Sequence, residues 1–326
     1  MIISDKQDLK KCVKKIVRHA AVSDTHLVFN PTTDDVGIDA LLSNVPGGRR
    51  LLDEQGTEET LLSHDALSMY SALDALGLSV QHLEEARTLQ ESYSREGWIR
   101  EILDIAPVRK VFIEFPFSQS VPAELSDDRF VPLVRIRPES VRITKYGINW
   151  KSEAEQIFEY AGTLGTRHLM VQGYHEQLLS YCVLPLCEDQ GMILHLWFDS
   201  GKEIDRFIRL AQAFPSVRCI LHAASQEEGH LIDAVPPSTR MMTVISNPNH
   251  YRDALAALGL SFLPFCSDEK MPEQMLGRWI INREYLIDAL TDHYLILARA
   301  GYELTTERIE RDIDRMLTVN LDAFCE

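Results

Sequence analysis

Residues 166–198, TRHLMVQGYHEQLLSYCVLPLCEDQGMILHLWF, place an apolar run of strand length, a helix-patterned stretch and a second apolar run in immediate succession. A helix between two such runs is the crossover that joins neighbouring parallel strands. The stretch 176–191 carries Pro185 inside its helical pattern, which predicts a kink there. The same rhythm extends in both directions. Upstream, strands are expected at 108–117 and 129–138, with a helix at 152–165 opened by Ser152 and closed by Gly165.

Downstream, strands at 217–225, 241–246 and 260–268 alternate with helices at 201–215, 227–236 and 249–259. With the opening run AVSDTHLVFN (21–30), the count reaches eight strands. Eight units of this kind favour a closed (β/α)8 TIM barrel over an open doubly wound sheet. No GxGxxG or GxxxxGK[ST] motif follows any strand, so nothing chemical supports a nucleotide site. The chain is expected to be one domain over 1–326, with a helical insertion at 30–105 acting as lid or recognition segment, and extra helices at 273–299 and 304–324. Those last helices offer apolar residues on more than one face, for packing on the barrel or for a homo-oligomer interface.

A net charge of −16 argues against nucleic acid and against an anionic membrane as partners. The basic cluster Lys10, Lys11, Lys14, Lys15 and Arg18 alternates with Leu9, Val13, Ile16 and Val17, as on an amphipathic surface helix. No apolar run is long enough to span a bilayer. The six cysteines (12, 182, 187, 219, 266 and 325) show no CxxC pair or framework spacing, and read as reduced thiols of a cytoplasmic protein.

Strand ends carry the chemistry. Asp24 and His26 alternate onto one face of the first strand, His195 lies in the fifth, His222 ends the sixth, and Asp268 ends the eighth. In a barrel these ends converge on one rim. Imidazole and carboxylate together suit a divalent ion with one position open for water, and a nearby Asp can take that water's proton. Asp24, His26, His195 and Asp268 are the candidate ligands, with Asp268 and His222 as candidate catalytic groups. Arg135 or Arg137, Gln172, and Arg49 or Arg50 in the insertion, are candidates for holding a substrate carboxylate. His64, His82, His168, His230, His250 and His293 have no matching placement and are expected mostly at the surface.

The stretches SDTHLVFNP, VLPLCEDQGMILHLWFDS, LAQAFPSVRCILHAAS, LPFCSDEKMP and TVNLDAFCE resemble the amidohydrolase superfamily of metal-dependent barrels. LLSHDALSMYSALDALG and REGWIREIL resemble its branch related to uronate isomerases. The resemblance implies one divalent metal ion, zinc ahead of manganese or iron. It also implies a hydrolase, or a decarboxylating or isomerising enzyme, acting on a small polar, carboxylated substrate. His195 is then a ligand, Asp268 a ligand or proton acceptor, and His222 a ligand or a group that polarises the substrate. The chain departs from the family's His-x-His at strand one, where His26 is followed by Val28. Two registers stay open there: either Val28 replaces the second histidine, or Asp24 and His26 form the acid-x-His pair of decarboxylating members. Val28 is also the main support for the alternative, a metal-free relative with a binding or partner role.

Overall fold

The computed structural model describes residues 5–28, 64–78, 83–117, 127–138, 143–144, 147–235, 238–269 and 272–326. Arg49, Arg50 and His82 lie outside them, as does all of 30–63.

Among the described residues the eight strands of the barrel are β1 (Val22–Leu27), β2 (Val108–Pro116), β3 (Phe130–Ile136), β4 (His168–Gln172), β5 (Ile193–Phe198), β6 (Arg218–Ala223), β7 (Met241–Val244) and β8 (Phe262–Leu263). They pair in parallel in chain order. Three backbone hydrogen bonds join the last strand's extension to the first: Thr25 N to Phe265 O, Asp268 N to His26 O, and Val28 N to Glu269 O. This is the (β/α)8 barrel. The expected strand at 260–268 is regular over only two residues, because Pro264 has no N–H to give to a ladder.

Burial explains the interior. The barrel's lower half is filled by Phe112, Leu133, Met170, Ile193, Ile220, Met242 and Leu263, and is closed from below by Leu321 and Phe324 of the last helix, Asn320–Cys325. Asn320 also donates to the carbonyl of Leu260, just ahead of β8, at 2.7 Å. An apolar plug below leaves chemistry to the C-terminal mouth, where side chains are polar.

The helices follow the sequence with local shifts. The crossover after β4 begins at Glu176, widens into a π-turn over Leu179–Val183, and resumes as Leu184–Gln190, so the chain absorbs Pro185 by a bulge. The preceding helix, Trp150–Thr163, is capped by Asn149 rather than Ser152, whose N–H instead donates to the Asn149 side chain. The N-terminal helix, Lys6–His19, buries Leu9, Val13 and Val17 and turns its cations to the acidic side of the long helix α10 (Pro272–Arg299). Lys10 meets Asp288 at 2.6 Å and Arg18 meets Glu284 at 2.6 Å.

Within the expected insertion, helices occupy His64–Ala75, Leu83–Glu91 and Arg95–Ile105. The first packs against α10 so closely that a Cβ at Gly277 would lie 2.0 Å from the Ser68 carbonyl oxygen. Among the described residues, no helix is long and apolar enough to cross a membrane.

Candidate active site at the barrel mouth

β1 brings Asp24 and His26 to the mouth, and both are buried. They do different work. Asp24 accepts from its neighbour His26 N at 3.1 Å, from Ser267 N at 3.2 Å and from the Trp279 indole at 2.7 Å. Burial pushes its carboxyl above the usual range against the pull of those donors. It ties strand one to strand eight and to α10.

His26 lies between two carboxylates. Its Nε2 is 3.2 Å from Glu114 Oε2, and its Nδ1 is 3.0 Å from Asp268 Oδ1, close but out of line for a hydrogen bond. Burial opposes charge on the ring, but Asp268 and Glu114 outweigh it and raise the imidazole to about 9. Burial alone would raise Glu114; its bonds to His26 and Arg135 hold it low instead. The Arg135 guanidinium donates to Glu114 Oε1 at 2.5 Å and also to Gln172 Oε1.

A second group of imidazoles lies within the barrel. His195 is fully buried, its Nε2 3.1 Å from His168 Nδ1 and its ring stacked on His222 at 5.7 Å between centroids. His222 stacks in turn on Trp197 at 5.3 Å and takes the Cys266 thiol on Nδ1 at 3.7 Å. Burial lowers all three histidines, His168 to about 3. They are neutral.

Above these groups opens a cleft of about 490 Å³. Asp268, half exposed, lies in its wall with Trp197, Cys266 and the Arg278–Glu269 pair; Ser225, Ser246, Asn247, Asn249 and Asn282 form a neutral polar side. Buried Glu228 accepts from the N–H groups of Ser246 and Asn247 and from the Ser246 hydroxyl, which fixes that side. Asp268 itself has φ +50°, outside the range ordinary residues prefer.

The expected residues therefore separate. His26 and Asp268 meet, and His222 lies beneath the cleft beside Trp197 and Cys266. Gln172 holds Arg135, while Arg137 is exposed one residue beyond β3. His168, expected at the surface, is buried. Glu114 and Glu228 were not singled out by sequence reading. Glu114 had a signal, a lone acid in the apolar run VFIEFPF.

A divalent ion needs three or four donors with lone pairs turned to one point. Among the described residues, no group of three His, Cys, Asp or Glu side chains gathers that way. Asp24 is engaged by N–H donors, His195 lies deeper against His168, and both nitrogens of His26 face carboxylates. Val28, where a second histidine would stand, serves the β1–β8 closure. The four expected ligands do not fit an ion as they are arranged.

No family model matches the sequence, and no curated protein matches it. Solved structures do. A uronate isomerase from Bacillus halodurans superposes with a TM-score of 0.86 over 99% of this chain and 97% of its own, at 18% identity. The fold is one that uronate isomerases share. A second, from Thermotoga maritima, gives 0.63 over 100% and 98% at 7% identity.

Proposed function

We propose that the barrel mouth is the active site of an isomerase acting on a small sugar acid of the uronate class. The observation that carries this is the Asp268 carboxylate: it lies in a polar cleft of substrate size and is backed by His26. Isomerisation is preferred to hydrolysis and decarboxylation because both structural neighbours are uronate isomerases.

The reaction such a site supports moves one hydrogen between adjacent carbons. Asp268 takes the proton from the carbon beside the carbonyl, and the electron pair left behind forms an enediolate. The proton returns to the former carbonyl carbon, while the hydroxyl hydrogen passes between the two oxygens. The neutral side, with Ser225, Ser246, Asn247 and Asn249, orients substrate hydroxyls. Arg278, held by Glu269 at 2.6 Å, lines the cleft and offers a cation to the carboxylate.

The test is ketose formation, and hydrogen exchange at the carbon beside the carbonyl, across a panel of uronates. Asp268→Asn should lower kcat by about 10³-fold with KM little changed, the usual scale for losing a general base. No exchange on any uronate, or full activity in Asp268→Asn, would overturn the assignment.

A further inference from the structure

We propose that Asn282 decides which uronates the cleft accepts: its Oδ1 takes a hydrogen bond from one substrate hydroxyl, a helical turn away from the Arg278 guanidinium that meets the carboxylate. The proposal rests on the isomerase reading above and adds a specificity-determining residue to it.

α10 turns one stripe to the cleft. Arg278, Asn282 and Tyr285, spaced i, i+4 and i+7, all line it. Asn282 is the buried member, 4% exposed. Its Nδ2 donates to the Ser246 carbonyl at 3.5 Å, while its Oδ1 is buried without a hydrogen-bond partner among the described residues. Turning the amide over does not relieve this. A carbonyl only accepts, so the Ser246 oxygen requires the nitrogen, and the Asn282 oxygen is left as a lone acceptor. A buried acceptor in that state costs free energy until a donor arrives. In a sugar acid the donors are the hydroxyls.

The amide is held in a fixed frame. Glu228, buried behind the cleft wall, accepts from Ser246 N at 2.9 Å, from the Ser246 hydroxyl at 2.8 Å and from Asn247 N at 3.0 Å. These bonds set the Ser246 peptide, and its carbonyl sets Asn282. Glu228 does not line the cleft, so it is a positioning residue that acts through Ser246 and Asn282.

The stripe also works as a ruler. Four residues of helix advance about 6 Å, so a carboxylate at Arg278 and a hydroxyl at Asn282 belong to separate parts of one chain, not to neighbouring carbons. A hydroxyl of opposite configuration at that carbon presents a C–H to Oδ1 and leaves it unpaired. Arg278 cannot make this distinction, because every uronate carries the carboxylate. Asn282 can.

The experiment uses the full chain and hexuronates that differ in configuration at one carbon, with their single-deoxy analogues. Calorimetry reads binding, and ketose formation reads turnover. In the parent, one deoxy analogue should bind about 10- to 100-fold more weakly than its uronate, the scale for leaving a built acceptor unpaired. Asn282→Leu should weaken that uronate to the level of its deoxy analogue and flatten the preference among epimers, raising KM with kcat changed by less than about 3-fold. Glu228→Gln, which sets an N–H₂ against the Ser246 and Asn247 donors, should erode the same preference with circular dichroism unchanged.

No deoxy analogue discriminated in the parent, an intact epimer preference in Asn282→Leu, or an equal loss for every uronate would overturn the proposal. The deoxy comparison needs no variant, so it decides even where a substitution unfolds the chain. The two readings fail separately. Hydrogen exchange without any discrimination at Asn282 sinks only this one, and discrimination in binding without hydrogen exchange sinks only the isomerase assignment. A chain that binds no uronate sinks both.

Discussion

Two sets of imidazoles share one barrel and hold opposite charge states. At the rim, His26 is as buried as its relatives below, yet two carboxylates flank it, one of them held by Arg135, and they raise its imidazole to about 9. Deeper in, His168, His195 and His222 contact one another, Phe112, Trp197 and a thiol, and burial leaves them neutral. Burial is alike in both places. The partners differ, and they decide whether a ring carries charge at the mouth or fills space in the core.

Removing one ring from each set is the most direct way to break the comparison. His26→Leu strips the cation from two carboxylates, one of them buried, and should cost about 3 kcal/mol, read by urea unfolding. His195→Leu removes a neutral ring and leaves His168 Nδ1 without its partner, a loss of about 1–2 kcal/mol by the same measurement. Equal losses would mean that the two sets do not differ in charge.

The pH dependence sharpens the contrast further. The folded state raises His26, so its contribution is complete below about pH 6.5, its unfolded value, and is lost as pH climbs through about 9. The inner rings are lowered, so below about pH 6.5 the unfolded chain binds protons that the folded chain refuses, and stability falls on acidification. Each such proton changes the slope by about 1.4 kcal/mol per pH unit. His26→Leu should flatten the alkaline side of the stability curve, and His195→Leu should soften the acid side. A curve unaffected by either variant would refute the assigned charge states.

The barrel was legible because strand runs such as MILHLWF and VRCILHAAS are short, apolar and separated by helix-length patterns. The mouth was legible in part. His26 and Asp268 ended the runs in which they lay, so chain order alone placed them on one rim. Glu114 was missed because a single acid in an apolar strand reads equally well as outward-facing, and only its neighbour 88 residues away reveals its side. Asp24 looked like a ligand for the same reason that it makes a good anchor: the indole that engages it lies 255 residues downstream. His168 sits first in its strand after Thr166 and Arg167, a context that resembles surface until the barrel closes over it.

The backbone at Asp268 has a consequence for anyone improving this protein. A left-handed φ suits glycine, so Asp268→Gly relieves backbone strain on the order of 1 kcal/mol while removing the carboxylate beside His26. A library ranked by heat tolerance alone would therefore count that relief in favour of a replacement that deletes the carboxylate facing the cleft. Codon 268 is the position to freeze before such a selection begins, and its drift would be an early sign that robustness is being gained at the expense of turnover.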